Sequence, residues 1–146
     1  MLRGNALARI DEKGRLKVPA SFRALIEPTF GVEFFVTSIR GDCVLVYPLK
    51  VWMGIEDRMA RTSSMNPSVN RVKSWVNYFG QSAAMDPQGR VLIHPLVRER
   101  ADVRGDVVVL GLHDHLEVWN RATFESRMAS DPVTDADLAA LSDLGI

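Results

Sequence analysis

From Arg15 to Val18 apolar and polar residues alternate, so that Leu16 and Val18 face one way and Arg15 and Lys17 the other, the period of a half-buried strand. The alternation returns from Arg90 to Ile93, with Val91 and Ile93 on the apolar face and Arg90 on the polar one. One turn pattern launches both runs: Asp11-Glu12-Lys13-Gly14-Arg15 and Asp86-Pro87-Gln88-Gly89-Arg90, an offset of 75 residues. A glycine after two polar residues suits a position with φ > 0, and the arginine after it leaves the rim of the turn rather than entering the core. Each copy presents one cation on a rigid mount.

The repetition extends past the turns. Phe22 and Arg23 correspond to Val97 and Arg98, and the apolar runs Glu33 to Thr37 and Val107 to Leu110 hold matching places. Val44-Leu45-Val46-Tyr47 corresponds to Leu116-Glu117-Val118-Trp119, and an aromatic follows five residues later in each copy, Trp52 and Phe124. The chain is a tandem repeat.

The pattern predicts strands over Gly4 to Ile10 and Leu16 to Val18, then a helix opened by Pro19, buried through Phe22, Leu25 and Ile26 and closed by Pro28. A hairpin follows through Arg40-Gly41-Asp42, then a helix over Leu49 to Arg61 with Trp52, Ile55 and Met59 on one face. Outside the repeats, Asn66 caps and Pro67 opens a helix whose Val69, Val72, Val76 and Phe79 keep three-four spacing until Gly80 stops it. Trp75 and Tyr78 widen that packing face, which can turn inward or toward a neighbouring subunit. The second repeat then gives a strand, a turn, a strand, a helix over Pro95 to Ala101 and a hairpin over Asp106 to Trp119. His94 stands where Pro19 stands in the first copy, with Pro95 one residue later, which predicts a slightly different helix launch. A helix over Arg121 to Met128 precedes a tail in which Thr134 caps a short apolar helix carrying Leu138, Leu141 and Leu144.

Composition changes this picture little, since 146 residues with 47% apolar side chains suit one domain or two small ones with a real core. Charge changes it more. The net charge is zero, yet residues 1 to 28 hold Arg3, Arg9, Lys13, Arg15, Lys17 and Arg23 against Asp11, Glu12 and Glu27, while the end of the chain carries Asp131, Asp135, Asp137 and Asp143. No apolar run is long enough to span a bilayer, and the first ten residues lack a signal-peptide core, so the expectation is a cytoplasmic protein that engages no membrane.

Catalytic chemistry finds no footing: there is no nucleophile beside a base, no ligand set and no phosphate-cradling loop, so the chain reads as a non-enzyme without cofactor or small-molecule ligand. Cys43, alone and beside an apolar strand, reads as a small buried hydrophobe. His113-Asp114-His115 lacks a third strong ligand and sits at a hairpin tip, where polar residues collect anyway, so no metal is expected. An arginine at a turn tip can instead pair bidentately with guanine, while nearby lysines hold phosphates.

Together the N-terminal Arg3-Gly4, the two D-x-x-G-R turns, Tyr47-Pro48 with Trp52, and the Ser63-Ser64-Met65-Asn66-Pro67 linker resemble the MraZ family, and the resemblance covers nearly the whole chain. It implies a mainly β, α+β fold: a swapped-hairpin, double-psi-like β-barrel built by two AbrB-like (SpoVT-AbrB) repeats, with helices between and after them. The implied division is 1–53 for the first repeat, 54–80 for a helical linker, 81–128 for the second repeat and 129–146 for an acidic tail. The resemblance further implies a nucleoid-associated transcriptional regulator that assembles as a ring and binds short direct repeats in double-stranded DNA upstream of the division and cell-wall gene cluster. Arg3, Lys13, Gly14, Arg15, Lys17 and Arg90 are the expected DNA-binding residues. The alternative is a ring-forming protein-interaction or antitoxin-like adaptor, in which the acidic tail and the Val69 to Phe79 helix carry the function.

Overall fold

The computed structural model describes the whole chain, Met1 to Ile146. The first half supplies β1 (Asn5–Ile10), β2 (Arg15–Lys17), α1 (Ala20–Phe30), β3 (Glu33–Thr37), β4 (Val44–Pro48) and α2 (Leu49–Ala60). After α3 (Pro67–Phe79) the second half supplies β5 (Gln81–Ala84), β6 (Arg90–Leu92), α4 (Pro95–Arg100), β7 (Gly105–Leu112), β8 (His115–Asn120), α5 (Arg121–Ser130) and α6 (Asp135–Ser142).

All eight strands form one antiparallel sheet in the order β5-β3-β4-β8-β7-β1-β2-β6. The order exchanges strands between halves: β1 pairs with β7, β5 with β3, β4 with β8, and β2 with β6. The Asp86 N–H donates to the Arg90 carbonyl at 2.9 Å, joining the outermost strands β5 and β6 through their turn, so the sheet curls into a nearly closed barrel. Inside it Leu16, Val36, Val46, Val91, Val109 and Val118 belong to a single core drawn from both halves. Neither half has this core alone.

The repeat relation survives at the level of backbone angles. Pro19 (φ −53°, ψ 136°) and His94 (φ −61°, ψ 143°) cap α1 and α4 in nearly the same conformation, so the His-for-Pro difference does not alter the launch of the second helix. A smaller cluster outside the barrel, with Cys43, Leu45, Val108 and Trp119, is also shared between the halves. The aromatic pairs correspond too: Tyr47 and Trp52 lie 5.2 Å apart, Trp119 and Phe124 5.3 Å.

Three details depart from the sequence reading. Pro28 does not end α1, which runs to Phe30 before Gly31 (φ 87°) closes it, because the bond lost at one proline is offset by Phe22 and Ile26 packing one stripe into the core. Leu25 lies off that stripe and is exposed. On α3 only Val76 and Phe79 are buried, leaving Trp75 and Tyr78 on an open face. Asn66 caps α3 as expected, accepting from the Ser68 and Val69 N–H groups. The other end of α3 is held by the buried Thr37 hydroxyl, which donates to the Val76 carbonyl at 2.6 Å.

Candidate nucleic-acid interface

The spacing of D-x-x-G-R is explained by what the aspartate does. Asp11 Oδ1 accepts from the N–H groups of Lys13 (3.0 Å) and Arg15 (2.9 Å), and its Oδ2 accepts from Arg15 Nε at 2.7 Å. Gly14 sits at φ 84°, and its N–H donates to the Asp11 carbonyl at 2.9 Å. Asp86 repeats the arrangement with Gln88 N–H (2.9 Å), Arg90 N–H (2.9 Å) and Arg90 Nε (2.8 Å), around Gly89 at φ 80°. The backbone N–H of Arg15, helped by its guanidinium, holds the Asp11 carboxyl below the usual carboxylate range, and Arg90 does the same to Asp86. Each arginine is thereby anchored at Nε. Both side chains keep 31% of their surface exposed, and no protein group bonds the terminal nitrogens of Arg15.

The two turns belong to one structure. Leu16 lies opposite Val91, Lys17 opposite Arg90 and Arg15 opposite Leu92, while Val18 N–H donates to the Gly89 carbonyl (2.9 Å) and Ile93 N–H to the Gly14 carbonyl (2.8 Å). Strands β2 and β6 therefore form a two-stranded ribbon with Leu16 and Val91 facing the core and Arg15, Lys17 and Arg90 facing outward. Along the second motif Leu92 takes the place of Lys17, and sequence alone would deny Arg90 a cationic neighbour. Across the ribbon Lys17 supplies it. The groove beside the ribbon, about 430 Å³, is lined by Arg9, Arg15, Lys17 and Arg90 together with Asp11 and Glu12.

Not every expected residue joins this group. Lys13 is exposed on the first turn, next to the ribbon. Arg3 is exposed but follows Leu2, which pairs with His113 at the β7–β8 hairpin, so the six-residue β1 puts roughly 20 Å between it and the Asp11 turn. Sequence reasoning missed Arg9, which the outward alternation of Leu7 and Arg9 before buried Ile10 could have found. It also missed what Arg23 and Arg98 do, although it aligned them. Arg98 Nη1 donates to the Ile93 carbonyl (3.1 Å) and reaches that of Lys13 (3.4 Å), and Arg23 Nη2 donates to the Pro87 carbonyl (2.9 Å). Each helix arginine thus braces the opposite repeat's turn.

The remaining candidates have packing roles. His115 stacks on Tyr47 with ring centroids 4.3 Å apart and bonds Asp114 through Nδ1 at 2.9 Å. Cys43 is buried, and desolvation pushes its thiol far above its ordinary pKa, which makes it a poor nucleophile. No helix is long and apolar enough to cross a membrane.

Two half-domains that exchange strands into one barrel, each carrying a D-x-x-G-R turn on the outer ribbon, define a tandem-repeat β-barrel protein. A family model described as "MraZ protein, putative antitoxin-like" matches residues 1–74 and 80–141. A relative from Acidobacterium capsulatum is 44% identical over 146 residues, spanning the whole of both chains, and one from Koribacter versatilis is 44% identical over 147 residues, again the whole of both. A third, from Klebsiella pneumoniae, is 37% identical over 145 residues, covering 99% of this chain and 94% of the relative. All three are named transcriptional regulator MraZ. The chain belongs to the MraZ family.

Proposed function

We propose that this chain is a sequence-specific DNA-binding transcriptional regulator that reads short direct repeats upstream of the division and cell-wall gene cluster, with the β2–β6 ribbon as its reading element and a ring of copies as its working form. The observation that carries the reading is the pair Arg15 and Arg90, each locked at Nε by its own aspartate on one outward ribbon, with Lys17 of β2 opposite Arg90. A two-stranded ribbon fits the major groove, and a guanidinium whose terminal nitrogens are free, as on Arg15, can bond guanine O6 and N7, whereas Arg90 Nη2 would exchange its 3.4 Å bond to Gln88 Oε1 for one to the base. Lys13, Lys17 and Arg9 would neutralise phosphates and set register. One barrel offers few such contacts. Several barrels on one ring would meet several DNA boxes at once and gain affinity through effective concentration.

The test is a gel shift on the upstream region of the protein's own gene beside a scrambled duplex of equal length, followed by a salt titration. A preference for the native duplex that weakens steeply with salt is expected. Absence of any shift at low salt overturns the reading in favour of an adaptor that binds protein.

A further inference from the structure

The end of the chain forms a helix without a partner. Every residue from Asp131 to Ile146 is exposed, including Leu138, Leu141, Leu144 and Ile146. Yet α6 is well specified: Thr134 Oγ1 accepts from the Asp137 N–H at 3.2 Å, and Asp137 Oδ2 accepts from the Thr134 N–H at 2.8 Å, a complete capping box. A helix of eight residues is too short to persist alone in water, so its stability has to come from packing against something.

The barrel has an unfilled surface of matching character. On α3, Trp75 is 41% and Tyr78 65% exposed, and Val72 lies one turn before them. Trp75 separates two adjoining grooves, one of about 400 Å³ shared with Tyr78 and Arg100, the other of about 270 Å³ shared with Ile39, Arg40 and Arg71. The charges are complementary. Residues 131–146 carry Asp131, Asp135, Asp137 and Asp143 and no lysine or arginine, whereas 66–80 carry Arg71 and Lys73 and no carboxylate.

We infer that α6 of one copy docks on the Trp75 face of α3 in the next copy, with Leu138 and Leu141 filling the two grooves and the tail aspartates meeting Arg40, Arg71 and Arg100. The contact is heterologous, tail of one chain to groove of the next, so repetition builds a ring if the rotation closes. The inference deepens the assembly reading above and rests on it.

Light scattering on the full chain tests it. Trp75→Glu spoils the groove and leaves the tail; Leu138→Asp with Leu141→Asp spoils the tail and leaves the groove. All three positions are exposed, and unchanged circular dichroism checks the fold. Wild type should elute as an oligomer, and each variant alone should fall to the mass of one chain, 16.3 kDa. Mixing the two variants restores one good interface per pair and should give about twice that mass and nothing larger. Should a substitution also disturb folding, the charge swap Arg71→Asp with Asp143→Arg serves instead, since Asp143 lies at the C-terminal end of α6 and takes no part in the capping box: either alone lowers the mass, and both together in one chain restore it. The docking is overturned if the wild type is a monomer, if the variants keep the wild-type mass, or if neither mixing nor the charge swap restores association. DNA recognition fails separately, if wild type does not prefer its own upstream duplex whatever its mass.

Discussion

The guanidinium of Arg98 occupies the space that a side chain at Gly14 would need: a Cβ built on Gly14 falls 1.3 Å from Arg98 Nη1. The mirrored pair is Arg23 and Gly89, where the corresponding distance is 2.8 Å. Glycine in each motif is thus required twice, for a positive φ and for the brace from the opposite repeat.

Gly14→Ala should therefore destabilise by more than the left-handed strain of about 1–2 kcal/mol, because it also evicts Arg98. Arg98→Ala alone forfeits hydrogen bonds of about 1 kcal/mol each. In the double variant the eviction has nothing left to remove, so urea unfolding of the four proteins should show a combined loss smaller than the sum. Additive losses would mean that the brace is incidental to the turn.

Asp11 and Asp86 link the turns to pH. Their carboxyls are held below the usual value in the folded chain, so their stabilisation is complete above the unfolded value of about 3.9 and is lost as pH falls through the folded one. Urea midpoints from pH 7 to 3 should fall on the acid side, and Asp11→Asn with Asp86→Asn should flatten that fall. An equal acid slope in wild type and variant would assign the loss to other groups.

Much of the fold was legible because period-2 alternation and a 75-residue offset do not depend on tertiary context: β2, β6 and the helix caps at Asn66 and Thr134 follow from local chemistry. Partner choice was not legible from the residues. Alternation says which face of β1 is buried but does not name β7 as its neighbour, and therefore it could not show that Lys17 faces Arg90. The same limit hid Arg98, whose role exists only because α4 lies against the first turn. Pro28 misled because a single missing N–H costs less than the packing of Phe22 and Ile26 in the core contributes.

Thr37 offers a test of how α3 is held. Its hydroxyl satisfies the Val76 carbonyl near the helix end, where carbonyls lack partners of their own. Thr37→Val keeps the shape and leaves that buried acceptor unpaired, which should cost about 1–3 kcal/mol. Denaturant melts of wild type and Thr37→Val measure it, and an unchanged midpoint would show that the bond contributes nothing.

Lys13 and Lys17 should act through charge rather than sequence. Lys13→Ala should weaken binding to operator and scrambled duplex alike and reduce the salt slope by about 0.9 for each phosphate that is no longer neutralised. A slope identical to wild type would place Lys13 off the DNA.

Arg15→Ala and Arg90→Ala decide whether the ribbon reads bases. Both guanidiniums are partly exposed and paired only within their own turns, so their removal should change stability modestly, as surface ion pairs contribute about 0–1 kcal/mol. Removing a bidentate bond to guanine should instead cost about 1–3 kcal/mol of discrimination at each engaged site. On a multivalent ring that loss recurs in every subunit, and operator binding should largely disappear while weak nonspecific binding persists. The two substitutions should be of similar severity, because Lys17 stands opposite Arg90 and the turns are built alike. Competition gel shifts with single-base variants of the upstream boxes would separate the two arginines, each variant losing discrimination at its own positions. If Arg15→Ala stays folded and keeps wild-type preference, direct readout by the first turn is wrong. If only Arg90→Ala is silent, the ribbon reads DNA from one end.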